Sequence, residues 1–470
     1  MRGLYDGVVV CALAMGLSAC ALRRPPARSE VVDKALPSPV TIPAEWTPSS
    51  ATGGDVVNDW VKTFNDPGLE TIVNEAIQHN TNLRKAAAVV EVARQSAALV
   101  GARLKPNVTL PLGESAVKEK DEDAFQSNRA YVQVAWEVDV WGRIRSERAG
   151  AVAAYQATAL DYAFARQSLA AVTAQHWYLA IETRQLVDLS QRSVEIFATL
   201  VRLAEAKYAA GQVSPLDVAE ANAVLNEALA ELERLQGLYS DIRRTLEVLA
   251  GRFPSAELEV ARDYSPLPPP VAAGLPTALL ARRPDILAAE SEVVAAFRGL
   301  ASARLALLPT VTLTAEGGRV SDALLDILKL NPYLVATGLG LFQPIFNGGA
   351  LRTQIRIASA QQEKAIANYG SVALAAFRDV EVALNNERVL AEQLKFQSQA
   401  LASRSEAVRI ATLQYQAGAL SLQPVLQLEA GQLAIAASVI KLRDAQFANR
   451  IALHLALGGG FDAASATFIP

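Results

Sequence analysis

The chain repeats itself after about two hundred residues, and the repeated unit reads as strand, strand, long helix, turn, helix. Three landmarks recur in the same order. A basic segment ends in proline before an alternating run at Ala102-Arg103-Leu104-Lys105-Pro106-Asn107-Val108-Thr109-Leu110, and again at Ala303-Arg304-Leu305-Ala306-Leu307-Leu308-Pro309-Thr310-Val311-Thr312-Leu313. A strand-to-helix corner follows at Val138-Asp139-Val140-Trp141-Gly142-Arg143, and again at Gln343-Pro344-Ile345-Phe346-Asn347-Gly348-Gly349. A tight turn closes each copy, at Tyr208-Ala209-Ala210-Gly211-Gln212-Val213-Ser214 and at Tyr415-Gln416-Ala417-Gly418-Ala419-Leu420-Ser421. A unit of this kind cannot cover its own apolar faces, so the copies must pack side by side.

The first residues read as an address. An apolar run from Val8 to Leu17 ends in Ser18-Ala19-Cys20; it is too short to span a bilayer and has the core of a secretory signal. Small residues before a cysteine resemble a bacterial lipobox, with 1–19 removed and Cys20 acylated. Ala21 follows, not the Asp that in such lipoproteins favours inner-membrane retention, so the outer membrane is expected. Cys11 leaves with the signal and Cys20 is taken by lipid, which leaves no thiol for a disulfide or a metal. The formal net charge is −4 and no basic stretch interleaves with aromatics, which argues against nucleic acid as a partner. No mature segment has eighteen uninterrupted apolar residues, so no transmembrane helix is expected, while membrane β-strands remain open.

Residues 20–67 hold Pro25, Pro26, Pro37, Pro39, Pro43, Pro48 and Pro67 and read as an extended tether. The first repeat, 68–264, is expected to hold a helix over 68–104, strands over 107–113 and 130–139, a helix over 143–210 and another over 215–250. The charged stretch 114–129 reads as a solvated loop. A proline-rich linker, 265–283, leads to the second repeat, 284–457, with a helix over 284–308, strands over 310–316 and 333–342, and helices over 349–417 and 422–456. A tail, 458–470, remains. No proline falls between Pro111 and Pro215, or from Ile345 to Gln423, so each long helix would reach about 100 Å. Ser214, Pro215 and Asp217 form a capping-box-like start for the helix after the first turn.

The two helices that follow the turns differ. Val218/Ala221, Leu225/Ala228, Leu232/Leu235, Tyr239/Ile242 and Leu246/Leu249 form a single coiled-coil seam. In the second copy Leu426, Leu433, Ile440 and Phe447 repeat every seven, and so do Leu428, Ile435 and Leu442 two residues further on. Two residues turn a helix by about 200°, so this helix carries apolar stripes on nearly opposite sides, as an element inside a helical wall does. The single-seam hairpin is therefore the expected moving part.

Four antiparallel strands cannot close a barrel, and an open edge cannot sit in lipid. Membrane strands would therefore have to be shared by several chains, three of which supply twelve. Two strings then carry a family resemblance: Leu279-Leu280-Ala281-Arg282-Arg283-Pro284-Asp285-Ile286 with Ala289-Glu290 and Ala301-Ser302-Ala303-Arg304, and Trp136-Glu137-Val138-Asp139-Val140-Trp141-Gly142-Arg143-Ile144-Arg145. The chain resembles the TolC/OprM/NodT outer-membrane factors over essentially its whole mature length. The resemblance implies a mainly α fold with a membrane β-barrel: a homotrimer whose twelve-stranded barrel continues as a periplasmic α-helical barrel. It implies the exit duct of a tripartite efflux pump, coupled to a periplasmic adaptor and an inner-membrane RND-type transporter, with no cofactor beyond the lipid on Cys20.

Carried onto this sequence, the adaptor-docking tips are Gly211, Val213 and Ser214 with Gly418, Leu420 and Ser421. Asp217, Glu220, Gln427 and Glu429 are the candidates for the periplasmic gate, where many relatives carry an Asp in place of Gln427. Asp217 equally fits a helix cap. Catalysis is not expected, because His79, His176 and His454 are isolated and the Gly458-Gly459-Gly460 run lacks a phosphate-binding Lys-Ser/Thr. Two readings stand beside small-molecule efflux: a channel for type I protein secretion, and a lipid-anchored periplasmic coiled-coil adaptor or scaffold.

Overall fold

The computed structural model describes residues 24–37, 40–47, 58–117, 125–321 and 333–460. The signal segment, Cys20, the charges Lys118 to Asp123 and the tail beyond Gly460 lie outside the described residues. The N-terminal arm is not wholly extended, because it contains helix α1 (Arg28–Ala35). Val31 is buried there among Tyr369, Ala373 and Val293 of the second repeat, and Arg28 pairs with Glu290 at 2.8 Å. An apolar face of Val31, Val32 and Ala35 is what turns this stretch of a proline-rich arm into a docked helix.

The helix expected over 68–104 is two helices, α2 (Pro67–His79) and α3 (Thr81–Ala102), broken at Asn80. Asn80 leaves the helical region (ψ 124°), its side-chain oxygen accepts from the Leu83 amide at 3.0 Å, and its amide donates to the Leu249 carbonyl at 3.0 Å. The break is an N-cap tied to a partner 169 residues away.

The first lane of the sheet is interrupted at Leu110-Pro111 into β1 (Asn107–Thr109) and β2 (Leu112–Val117), both antiparallel to β3 (Phe125–Val138). A proline is tolerated there because this is an edge. Next come β4 (Thr310–Ser321) and β5 (Leu334–Phe342), giving four antiparallel lanes. The ribbon runs further than the apolar alternation indicates. Most of the stretch read as a loop over 114–129 is strand, with Glu114 opposite Asn128 and Gly113 opposite Arg129, and β4 reaches Ser321. Backbone pairing continues where the side chains have turned polar.

The long helices α4 (Arg143–Ala209) and α8 (Ala350–Gln416) each have 67 residues. Each starts after a left-handed glycine, Gly142 at φ 79° and Gly349 at φ 84°, and Asp139 accepts from the Ile144 and Arg145 amides at 3.0 and 2.8 Å. The remaining helices are α5 (Pro215–Leu249), the single turn α6 (Pro276–Leu279), α7 (Pro284–Leu305) and α9 (Leu422–Ala456).

Packing arranges these helices as a wall of four lanes. Next to the sheet the order is α3, α4, α7, α8, and toward the turns it is α5, α4, α9, α8. Each strand continues the lane of the helix it joins, so β1, β3, β4 and β5 sit above α3, α4, α7 and α8. The seam on α5 buries Ala221, Ala228, Leu232, Leu235, Ile242 and Leu246, and α5 packs almost entirely on α4. Helix α9 instead lies between two long helices: Phe447 and Ile451 join the cluster around Tyr178 of α4, and Leu453 and Ala456 the cluster around Val380 and Leu384 of α8. By length and composition α9 could cross a membrane, with a window of mean hydropathy 1.3. Packing between α4 and α8 accounts for part of that apolarity, since 22% of the window is buried within the chain.

Candidate functional site

The sheet has one wet and one apolar face. Val132, Val134, Trp136 and Val138 share a face with Val311, Leu313, Leu339 and Leu341, as the register requires. The other face carries Gln133, Ala135 and Glu137 beside Glu316, Thr314 and Thr312, and Gln133 donates to Glu316 at 2.7 Å. Opposite these on β5 stand Ala336, Gly338 and Gly340, which leave the wet face open. This is the pattern of strands with lipid on one side and water on the other.

The corner below the sheet uses nearly every residue of the Trp136–Arg145 string. Trp136 donates to the Leu104 carbonyl at 3.0 Å, Trp141 to the Pro309 carbonyl at 2.7 Å, and Arg143 pairs with Glu137 at 2.6 Å. The other string builds the hub between the repeats. Arg283 is buried, pairs with Asp285 at 2.7 Å and Asp379 at 3.5 Å, and donates to the Ala456 carbonyl at 3.2 Å.

The wall is open on both sides. Among the described residues β1, β2 and β5 have no partner on their outer edges, and all nine β5 residues are exposed, Leu339 at 73% and Leu341 at 71%. The edge helices are apolar too. On α3, Val92 and Leu99, seven residues apart, are 65% and 73% exposed, and on α8 Ile357, Val382, Phe396 and Leu413 are exposed. An unpaired strand edge in hydrocarbon leaves its amides and carbonyls unsatisfied, so one chain alone is not a membrane-spanning unit.

At the far end the two turns lie exposed. Gly211 (φ 69°) and Gly418 (φ 76°) have no atom near the position of a β-carbon, so the left-handed backbone, not crowding, is what requires glycine. Val213 and Leu420 are half-buried, while Ser214 and Ser421 are exposed. Ser214 and Asp217 form a full capping box: the Ser214 amide and hydroxyl donate to Asp217 at 2.9 and 3.1 Å, and the Ser214 hydroxyl accepts from the Leu216 amide at 3.1 Å. Ser421 makes no side-chain cap bond, and Pro424 stands where the first copy has Asp217.

The gate candidates separate by environment. The Asp217 carboxylate is engaged in the cap, Glu220 is half-buried and Gln427 is exposed. Glu429 is buried with one oxygen lacking a partner among the described residues, and burial raises its carboxyl above the usual range. The structure adds a contact that sequence reasoning missed. Lys207, in the last turn of α4, donates to the Tyr415 carbonyl of α8 at 2.7 Å and lies 4.7 Å over its ring. Tyr415 is 1% exposed and its hydroxyl has no partner among the described residues, whereas Tyr208, its counterpart in the first copy, is 49% exposed. Burial, then the charge of Asp217, raises the Tyr415 hydroxyl. The trace in sequence is a single asymmetry of the turn landmark: Lys207 precedes Tyr208 where Gln414 precedes Tyr415.

No group of three or more potential ligands is placed to hold a metal among the described residues. His454 is a core residue, stacked on Trp60 at 5.6 Å and pushed down to about 4 by burial.

The chain matches the model of the outer membrane efflux protein family over residues 72–252 and 275–459, the two repeats in turn. It is 31% identical over 471 residues to the pyoverdine export outer membrane protein OpmQ of Pseudomonas putida, covering 97% of each chain. To the toluene efflux pump outer membrane protein TtgC of Pseudomonas putida it is 28% identical, over 89% of this chain and 88% of that one. The solved outer-membrane channel OprN superposes with a TM-score of 0.82 at 25% identity, over 91% of this chain and 99% of that one. Together with the two-faced sheet, these matches set aside a periplasmic coiled-coil scaffold. The chain belongs to the outer membrane efflux protein family: it is an outer-membrane channel, not an enzyme, and serves as the exit duct of efflux systems that work with adaptors and inner-membrane pumps.

Proposed function

We propose that three copies close into one duct, the fourth lane of each (β5 and α8) meeting the first lane (β1, β2, α3 and α5) of the next. The observation that carries this is that the sheet and both helical layers are open on the same two sides, so one rotation completes all three. Two copies would give eight strands, whose interior side chains fill; twelve leave a lumen. Cys20 holds the lipid that tethers the arm to the outer membrane, and the duct needs no cofactor.

The two exposed turns, with Val213 and Leu420 at their bases, receive the periplasmic adaptor, which links the duct to an RND-type transporter. A wide wet passage suits small molecules of varied chemistry, and relatives named for pyoverdine export and for toluene efflux fit that range. Asp217 and Glu220 set the charge of the closed entrance, which Gln427 makes less acidic. Opening requires the Lys207–Tyr415 clasp to part.

Deleting the chain should raise drug accumulation in its host, and a cysteine at Gln212 should crosslink to a periplasmic adaptor in intact cells. Unchanged accumulation together with no adaptor adduct from either turn would count against the efflux reading. Asp217→Ala and Glu220→Ala should lower cation selectivity in planar bilayers; unchanged selectivity would remove both from the entrance. Palmitate labelling should vanish in Cys20→Ser, and persistent labelling would place the lipid elsewhere.

A further inference from the structure

The two repeats correspond position by position. A shift of 203 residues carries α3 (Thr81–Ala102) onto α7 (Pro284–Leu305), and a shift of 207 carries α4 (Arg143–Ala209) onto α8 (Ala350–Gln416). The same two shifts hold in the sheet, where they carry the pair Asn107–Ala135 of β1 and β3 onto the pair Thr310–Phe342 of β4 and β5. They also carry one hydrogen bond onto another: Trp136 donates to the Leu104 carbonyl at 3.0 Å, and Gln343 donates to the Leu307 carbonyl at 2.9 Å. The contact of the first lane with the second is thus repeated by the third with the fourth. The contact of the second lane with the third has no copy within the chain. In a closed ring its copy is the fourth lane against the first lane of the next chain.

The sheet gives that copy a register. Across the internal seam Val134 of β3 stands opposite Ala315 of β4. Their counterparts are Leu341 of β5 and Leu112 of β2, exposed at 71% and 67% on the two open edges and both on the apolar face. This register lays the whole of β2 against Ala336 to Leu341 and puts Gly340 opposite Gly113 on the wet face. A slip of one residue would turn one edge's leucines to the wet face, so only slips of two compete.

The helices below agree with the sheet. A β-carbon built on Gly150 of α4 would lie 3.3 Å from Arg298 Cβ and 3.4 Å from the Ala295 carbonyl of α7, so the two helices meet there. The counterpart of Gly150 is Ile357 on the open side of α8, and the counterparts of Ala295 and Arg298 are Val92 and Gln95 of α3. Val92, Gln95, Ser96 and Leu99 line an open groove on α3. The positions that receive α4 inside the chain are therefore vacant where a neighbour's α8 would arrive.

We propose, on the reading that copies of this chain close the duct, that the seam between chains repeats the internal seam residue for residue. Leu341 pairs with Leu112 of the next copy, and Ile357 enters its α3 groove at Val92 and Gln95. The two seams differ in chemistry. Trp141, which donates to the Pro309 carbonyl across the internal seam, has Gly348 as its counterpart, so that bond has no side-chain equivalent between chains. Ile357 adds apolar contact where Gly150 offers none.

The test uses the full-length protein in native outer membranes, with pairs of cysteines on the two edges. Directly opposite β-carbons lie about 5 Å apart and diagonal ones about 7 Å. Leu341→Cys should therefore oxidise to an interchain adduct several-fold faster with Leu112→Cys than with Leu110→Cys or Glu114→Cys. A faster or equal rate with either of those two would overturn the copied register while closure stands. So would trimers on unheated gels that give no adduct from any pair. Chains that stay monomeric would remove closure itself, and the register with it. The helix pair reads the same register outside the membrane, which keeps the test open if strand variants insert poorly. Ile357→Cys should react several-fold faster with Gln95→Cys than with Ala88→Cys, about 10 Å further along α3. Equal or reversed rates would overturn the proposal.

Discussion

The two hairpins come from the same repeat and end in the same glycine turn, yet they are built for different mechanical duties. The first, α4–turn–α5, has a complete capping box at Ser214 and an outer helix committed to one partner. The second, α8–turn–α9, has no side-chain cap at Ser421, but its outer helix is packed between α4 and α8. The tyrosine before the turn is exposed in the first copy and buried under Lys207 in the second. The outer helix of the first hairpin is therefore held by a local cap and one partner, while the outer helix of the second is held between two neighbours. The cap supplies at the first turn part of the stabilisation that packing supplies at the second.

The largest expected effect that could break this contrast lies in the outer helices. Phe447→Ala, which removes contacts to Tyr178 and Tyr264, should destabilise the fold by about 4 kcal/mol. Leu235→Ala in the one-sided seam of α5 should cost about 2 kcal/mol, near the low end for a buried leucine. Equal losses in denaturant unfolding would mean that α9 is no better anchored than α5.

Next is the clasp. Lys207→Met removes a charged donor and a cation–ring contact, together worth about 2 kcal/mol. It should raise the open probability in planar bilayers and speed amide exchange in the first turn more than in the second. Equal acceleration in both turns would contradict a mobile first hairpin. The smallest effect gives the sharpest contrast. Ser214→Ala should weaken the start of α5 by about 1 kcal/mol. Ser421→Ala, with no cap bond to lose, should leave amide exchange at the start of α9 unchanged.

Features set by local chemistry were legible in the sequence. The alternation of Val132, Val134 and Trp136 marked a strand face, the Ser214–Asp217 spacing marked a cap, and the heptads told the outer helices apart. What escaped depends on contacts distant in sequence. Asn80 is unremarkable in a helical stretch until Leu249 offers its carbonyl. Val31 looks like part of a tether until Tyr369 and Ala373 give it a surface. The Lys207–Tyr415 contact joins residues from different repeats, and no periodicity within one repeat encodes it. Beyond Gly113 the hairpin carries polar side chains, so hydropathy alone stopped the strand too early.

The central claim is that one chain is an open wall of four lanes that copies of itself close. Single cysteines at Val108 or Leu112 on one edge, combined with single cysteines at Leu339 or Leu341 on the other, share the lipid face and test it directly in native outer membranes. Oxidation of the double variants should yield a covalent ladder that ends at three chains, and neither single variant should form it. A product that remains a monomer, or a ladder that runs past three, would contradict the account.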